Sequence, residues 1–400
     1  MDHAPLNPAE DFATRVCLRS CLSLWCYSNP RGKGGKELCD VLVVFERHVI
    51  IISVKDIPLK QDTYTKWKRW QRRAVEESVK QLYGADRWLT SADRVIRRDG
   101  TSGLPLPALS ERLIHRIALA CGGGGEVPTT SGDFGKGFVH VMTEQAFFDV
   151  LGELDTVGDL VNYLDAKEAL ITRGCRVVLE GSESNLVGLY LFHGRTFPMD
   201  CDRLIVDDGI WSEIAAKPEF QRREELDRES YAWDTLIEGL IDPNAKPIEG
   251  SSVELTDLER ALRAMAMESR FARRILGQGL RAFIIDAQAG ETRSRVLVGP
   301  SGVIYVFVYF RAGEDAQYRR AELGNRCFLA RHLIGRGDTA VGVGLGEYQP
   351  GAGSTSDLIY LQLPDWSSAD DDHAVQMKAA LGLFDKASVC QSHEDEFPST

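Results

Sequence analysis

The sequence has no long apolar run and no cysteine pair of the CxxC type. A membrane-spanning helix needs about 20 consecutive apolar residues, so we expect no contact with a membrane. The N-terminal segment has neither a basic stretch nor an apolar core, and we therefore expect no secretory signal peptide. The nine cysteines are an odd number without a secretory context, which favours reduced thiols and a cytoplasmic location.

Several motifs that identify enzyme classes are also missing. The sequence contains no Gly-Lys-Ser/Thr, no Gly-X-Ser-X-Gly and no His-Glu-X-X-His, which argues against a P-loop nucleotide hydrolase, a serine hydrolase of the nucleophile-elbow type and a zinc protease. The glycine run 122–125 lacks the spacing of a dinucleotide-binding loop. Cys17, Cys21, Cys26 and Cys39 could hold zinc or an iron–sulfur cluster, but buried small side chains are the favoured interpretation.

The composition is that of a soluble globular protein. The chain has 400 residues, of which 44% are hydrophobic and 26% are charged, with a net charge of −12. This length suggests two or three domains. Residues 1–100 nevertheless carry 18 Lys and Arg against 13 Asp and Glu. A basic N-terminal part in an acidic chain is compatible with nucleic-acid binding at one place only.

The hydrophobic patterns predict a mixed α/β fold in three parts. Residues 1–143 form a mixed sheet flanked by helices, residues 144–250 are mostly helical, and residues 251–400 form a C-terminal α/β unit with a flexible acidic tail. Within these parts we predict a strand at Leu186–Phe192, a linker at Pro243–Gly250, a helix at Leu255–Leu276, a strand at Ala282–Ala287 and a polar loop at Arg97–Leu109.

The most informative stretch is a predicted hairpin of two apolar strands, Leu38–Phe45 and His48–Lys55. A two-residue turn separates them, so the start of the first strand and the end of the second lie side by side. Asp40 and Lys55 are therefore predicted neighbours. His115 and His140 fall on two further adjacent strands, where buried core histidines are the favoured interpretation.

This arrangement resembles the PD-(D/E)XK, or restriction-endonuclease-like, nuclease superfamily over about residues 8–143. The core of that superfamily runs helix, three strands, helix, strand, with an aspartate at the second strand and an acid-X-lysine sequence at the third. Asp40 matches the aspartate and Ser53-Val54-Lys55 matches the acid-X-lysine position. Glu10 matches an acid that many members supply from the first helix, and Gln71 or Gln81 matches a polar residue on the next helix.

Ser53 is the clear departure from the superfamily pattern, because a hydroxyl is a poorer Mg²⁺ ligand than a carboxylate. Glu37 or Glu10 could replace the missing acid. If neither does, the protein is an inactive relative. With a replacement, the resemblance implies that Asp40, Glu10 or Glu37 and the carbonyl of Val54 bind Mg²⁺ or Mn²⁺, while Lys55 orients or deprotonates the attacking water.

A basic helix predicted over residues 65–89 adds support for a nucleic-acid substrate. Lysine and arginine at this density bind phosphates through counterion release, whereas its tryptophans are expected to be core anchors. The loop Arg31–Lys36 brings further cations near Asp40. The residues expected to bind nucleic acid are Lys33, Lys36, Lys66, Arg69, Arg72, Arg73 and Gln81.

The sequence thus predicts a metal-dependent nuclease, with an endonuclease acting on DNA favoured. The resemblance further implies a role in defence against foreign DNA. A helicase or ATPase is our candidate protein partner. The alternative is a nuclease-fold scaffold or sensor that binds nucleic acid or a protein without cleaving, and Ser53 is the residue that favours it.

Overall fold

The computed structural model describes residues 7–59, 64–123, 130–198, 200–241, 255–349, 355–385 and 394–398. The chain forms two compact units, Met1–Phe220 and Gln221–Thr400. The boundary falls inside the segment 144–250, so the elements of that segment are shared between the two units. The predicted linker Pro243–Gly250 lies outside the described residues, whereas the acidic tail is described at residues 370–385 and 394–398.

The first unit is a mixed six-stranded sheet with helices on both faces. A two-stranded antiparallel sheet and a two-stranded parallel sheet accompany it. Its elements are α1 (Pro8–Cys21), β1 (Cys26–Ser28), β2 (Val41–Phe45), β3 (His48–Asp56), α2 (Tyr64–Gln71), α3 (Glu77–Leu89), β4 (Arg94–Ile96), β5 (Ser102–Pro105), β6 (Leu113–Cys121), β7 (Gly132–Asp133), β8 (Phe138–Thr143), α4 (Glu144–Glu153), α5 (Val157–Thr172), β9 (Arg176–Leu179), α6 (Glu183–Phe192), β10 (Arg203–Val206) and α7 (Ile210–Ala215).

The strand order in the large sheet is β1-β2-β3-β6-β8-β7. The first three strands are antiparallel, whereas β3, β6 and β8 run parallel. All five residues of β2 and the first seven of β3 are buried, as expected for central strands covered on both faces. The expected element order of a helix, three strands, a helix and a further strand is present, and the mixed α/β class is confirmed.

The predicted basic helix is present as α2 and α3, joined by a π-helical turn at Arg72–Glu76. Trp70 is 3% exposed, and its indole Nε1–H donates to the carbonyl of Ile57, 2.8 Å away. Ile57 directly follows β3, so this bond fixes the basic helix near the end of the strand that carries Lys55. Trp70 is therefore a core anchor, as predicted.

The second unit contains a four-stranded sheet in the order β11-β12-β13-β14. Its core packs β12 against α12 through buried residues such as Val306, Phe310, Leu323 and Cys327. Its elements are α8 (Pro218–Asp227, which begins in the first unit), α9 (Tyr231–Ile241), α10 (Leu255–Ala266), α11 (Arg270–Gln288), β11 (Ser294–Val298), β12 (Ile304–Phe310), α12 (Ala316–Ile334), β13 (Thr339–Gly346), β14 (Ser356–Gln362) and α13 (Ser368–Leu381).

Three sequence-based assignments are wrong. Leu186–Phe192 belongs to helix α6, most of which is buried, and a helix apolar on all sides has no amphipathic period to distinguish it from a strand. The predicted strand Ala282–Ala287 is the end of α11. The predicted helix Leu255–Leu276 is broken at Ser269, whose side chain accepts from the backbone N–H of Ala272 and starts a new helix.

Two further features complete the fold. The predicted polar loop Arg97–Leu109 contains β5, which pairs with β4 in a short antiparallel ladder. Across the described parts of the chain, no helix combines the length and the apolar character that crossing a bilayer requires.

Candidate active site on the central sheet

Asp40 lies against the backbone of β3 immediately before Lys55. The hairpin register pairs Val41 with Ile52, and one further step places Asp40 opposite Ser53. The backbone N–H of Asp40 donates to the carbonyl of Ile52 at 3.2 Å. Its carboxylate Oδ2 accepts the backbone N–H of Val54 at 2.7 Å. The hairpin therefore fixes the Asp40 carboxylate beside the peptide that connects Ser53 to Val54.

The electrostatic surroundings of Asp40 link it to the other predicted site residues. Burial raises the pKa of this carboxyl group to about 6, and the N–H of Val54 opposes that rise. The negative charges of Glu10 and Glu37 raise the pKa of Asp40 further, whereas the positive charge of Lys55 lowers it. All three side chains are thus close enough to act on Asp40. A cation next to Asp40 would offset both the cost of burying its charge and the repulsion from Glu10 and Glu37.

Lys55 is half-buried and its ammonium group has no carboxylate within 4 Å among the described residues. A static salt bridge between Asp40 and Lys55, the structural alternative to a catalytic pair, is therefore not formed. Asp56, the next residue on β3, is exposed. The Lys55 side chain remains available for a phosphate or a water molecule.

Ser53 faces helix α3. It is 1% exposed, and its hydroxyl donates to Oε1 of Gln81 at 2.9 Å and lies 3.4 Å from Oγ of Ser78. The hydroxyl is thus engaged by helix α3. The amide oxygen of Gln81, a residue predicted to contact nucleic acid, accepts this hydrogen bond from Ser53. Sequence spacing could not show this bond, because it joins residues 28 positions apart.

Glu10 and Glu37 approach Asp40 from two different elements. Glu10 is half-buried in the first turn of α1, where its N–H donates to the Asn7 side chain at 2.9 Å and its carboxylate accepts from the amide of Asn7. Glu37 is exposed. The oxygens of these three carboxylates do not form a cluster within 4.8 Å of one another in the described structure. Any bound ion would therefore use one or two of them, together with the carbonyl of Val54.

Such a ligand set suits Mg²⁺ or Mn²⁺. In proteins Mg²⁺ keeps several waters and is often bound by one or two carboxylates plus substrate phosphate oxygens. Asp40 supplies a buried carboxylate held in place by a backbone bond, and Glu10 or Glu37 supplies a second. The residues present therefore fit a hard divalent cation that is completed by water and a phosphate.

The predicted phosphate-binding cations lie on the surface. The side chains of Arg69, Arg72 and Arg73 are exposed and have no carboxylate partner among the described residues. Arg69 and Arg72 line a shallow depression on α2 together with Thr65, Lys68, Gln71 and Glu76. Lys66 is also exposed on α2, and Lys33 and Lys36 are exposed in the glycine-rich loop. These positions leave the cations accessible to a polyanion.

The N-terminal cysteines are buried, and none of them forms a disulfide within the described residues. Cys17 contacts Cys26, and their interaction together with burial raises the pKa of the Cys17 thiol. No group of three potential metal ligands in the described residues includes a cysteine. These cysteines are therefore explained as small side chains packed in the core.

Comparisons with known proteins add no family assignment: no protein-family model matches this chain, and neither a curated protein nor a solved structure matches it.

Proposed function

We propose that the first unit is a metal-dependent nuclease domain that hydrolyses phosphodiester bonds, with DNA as the favoured substrate. The observation that carries this proposal is the Asp40 carboxylate bonded to Val54 N–H beside Lys55, which has no carboxylate partner in the described part of the chain. The resemblance to restriction-endonuclease-like enzymes and the exposed arginines of α2 and of the π-helical turn support the same assignment.

The residues of the candidate site would have separate roles in this reaction. Asp40, Glu10 or Glu37 and the carbonyl of Val54 would hold Mg²⁺ or Mn²⁺, which polarises the phosphate and lowers the pKa of a bound water. The half-buried Lys55 would position the attacking water and stabilise negative charge on the transition-state phosphate. Ser53 and Gln81 would fix the end of β3 against α3 and so hold Lys55 in position.

The biological setting belongs to the same proposal. Nucleic acid would bind along Arg69, Arg72 and Arg73, with Lys66 and the loop cations Lys33 and Lys36 contacting further phosphates. A role in defence against foreign DNA follows from the resemblance alone, whereas a cytoplasmic location follows from the cysteine usage. A helicase or ATPase is the protein partner proposed with it. The acidic second unit would regulate the nuclease or bind that partner.

A non-catalytic scaffold is the second candidate, and two observations favour it. Ser53 stands where an acid is expected and is bonded to Gln81, and the three nearby carboxylates do not form a ready cluster. A scaffold would keep the basic surface, because phosphate binding does not depend on Asp40 or on a metal ion.

Nicking of supercoiled plasmid by the full chain separates the two candidates. We expect cleavage in Mg²⁺ or Mn²⁺, no cleavage in EDTA, and a loss of at least about 100-fold in Asp40→Asn, since the buried ligand charge is removed. Asp56→Asn, which removes an exposed carboxylate two residues past Val54, is the matched control and should cleave normally. Cleavage of RNA but not DNA would change the substrate class. Equal, background-level nicking by wild type and Asp40→Asn would establish the scaffold.

A further inference from the structure

Three histidines lie on one face of the large sheet, on three neighbouring strands. His48 begins β3, His115 lies on β6 and His140 on β8. The parallel registers pair Ile50 with His115 and Ile117 with His140. His48 is two residues before Ile50, and His115 is two residues before Ile117. Because residues two apart on a strand point to the same side, the three histidines share one face of the sheet. Ser53 and Lys55 lie an odd number of residues from His48 on β3, so their side chains point to the opposite face of the sheet. This histidine cluster is therefore separate from the candidate active site.

Several ring nitrogens in this cluster have no hydrogen-bond partner among the residues that the structure describes. His140 is 0% exposed, and neither Nδ1 nor Nε2 has a hydrogen-bond partner. His115 is 2% exposed, and its Nδ1 is likewise unpartnered. The other nitrogen of His115, Nε2, lies 3.0 Å from Nδ1 of His48. A buried polar group without a partner is rare in folded proteins, so these nitrogens point to a ligand.

Helix α5 brings two carboxylates to the same cluster. Asp165 and Glu168 are three residues apart and therefore lie on one side of the helix. Asp165 Oδ1 lies 3.8 Å from Nε2 of His115. One ligand atom each from His115, His140 and Glu168 lies within 4.8 Å of the others. Glu168 is only half-buried, which leaves a path from solvent to the cluster.

The charges around the cluster are compatible with a cation. Three basic side chains influence the histidines. Two of them have their own carboxylate: Arg116 Nε bonds Asp86 at 3.1 Å, and Lys167 bonds Glu183 at 2.5 Å. The third, Arg47, acts on His48 and also on the carboxylate of Asp165. Burial lowers the pKa of His115 to about 3 and lowers the pKa values of His48 and His140 as well. The imidazoles are therefore neutral, which is the form that binds metals.

We propose that His115, His140 and Glu168 bind a divalent transition-metal ion of the zinc class. Imidazole nitrogens suit zinc and its neighbours, whereas Mg²⁺ prefers oxygen ligands. His48 and Asp165 contact His115 from its Nε2 side, as outer partners of metal-bound histidines commonly do. That contact leaves the unpartnered Nδ1 of His115 as the nitrogen available to the ion.

The proposed ion would cross-link β6, β8 and α5 on the side of the sheet away from Lys55. Three protein ligands leave a fourth position for water, an open arrangement that differs from a closed four-ligand structural site. The inference is independent of the nuclease proposal, because it uses different residues, a different face and a different class of metal.

Equilibrium dialysis of the full chain against Zn²⁺, followed by elemental analysis, tests the proposal. Asp40→Asn serves as the parent protein, so that the carboxylates of the candidate active site do not compete. We expect one equivalent of Zn²⁺ on this parent and binding weaker by roughly tenfold or more when Glu168→Gln is added. Cobalt bound in place of zinc should show the visible absorption of a four-coordinate site with nitrogen ligands.

Matched controls separate ligand loss from misfolding. Glu180→Gln removes an exposed glutamate and His193→Ala an exposed histidine outside the cluster, and both should keep one equivalent. His140→Ala should lose the ion, with circular dichroism in EDTA reporting whether it folds. If His140→Ala does not fold, the Zn²⁺ affinity of Glu168→Gln, which changes a half-buried side chain, still tests the proposal. No bound Zn²⁺ on the parent, or Zn²⁺ affinity unchanged by Glu168→Gln, would overturn the proposal and leave an ordered water as the partner of these nitrogens.

Discussion

Replacing Lys55 with alanine should reduce Mg²⁺-dependent cleavage by about 10²–10⁴-fold while DNA affinity changes by less than about threefold. The reason is that the Lys55 ammonium is proposed to act on the attacking water and on the transition-state charge, and groups in these roles contribute rate factors of this size. Binding depends on many phosphate contacts, of which Lys55 makes at most one. Single-turnover cleavage and fluorescence anisotropy in Ca²⁺ measure the two quantities separately.

The control for this experiment is Lys136→Ala, which removes an exposed lysine from a loop of the same unit. It should cleave and bind like wild type. If Lys55→Ala keeps full cleavage, Lys55 has no role in the reaction. If cleavage and affinity fall by the same factor, Lys55 is a binding residue, and the chemical role must belong to another group.

Replacing Arg69, Arg72 and Arg73 together with alanine should flatten the salt dependence of DNA binding. Each phosphate contact contributes about −0.9 to the slope of log affinity against log salt concentration. Loss of three contacts would therefore reduce the magnitude of the slope by up to about 2.7. The three side chains are exposed and unpaired with carboxylates in the described structure, and alanine favours the helix, so the fold should be retained.

A triple variant of Arg176, Arg203 and Arg336, exposed arginines distant in sequence from α2, provides the matched control. It makes the same change in net charge and should leave the slope nearly unchanged. An unchanged slope in the α2 variant would show that its arginines only solvate the surface. An equal reduction in both variants would indicate a general charge effect instead of a defined contact surface.

The placement of Asp40 beside Lys55 could be predicted from the sequence because hairpin geometry is local. A two-residue turn and two runs of buried β-branched residues determine which positions lie opposite each other. The bond from Val54 N–H to the Asp40 carboxylate could not be predicted in this way, because it depends on a side-chain rotamer. The hydrogen bond between Ser53 and Gln81 depends on how α3 packs on β3, which no local pattern contains.

The histidine cluster was missed for a different reason. His115 and His140 were expected on adjacent strands, but strand alternation alone does not reveal the register between parallel strands that are distant in sequence. His48, at the start of β3, joins them only once β6 pairs with β3. The signal in the sequence is one histidine on each of three apolar strands, but only the pairing of those strands shows that the three share a face and meet α5.

A crystal structure of the full chain with duplex DNA and Ca²⁺, an ion that commonly supports binding without cleavage, tests the proposed site most directly. We expect an ion on the Asp40 carboxylate and the Val54 carbonyl, and a DNA phosphate within hydrogen-bond distance of Nζ of Lys55. Glu10 or Glu37 should complete the ligand set, directly or through water. DNA bound with no ion at Asp40, or with its phosphates remote from Lys55, would contradict the assignment of this site as a metal-dependent nuclease.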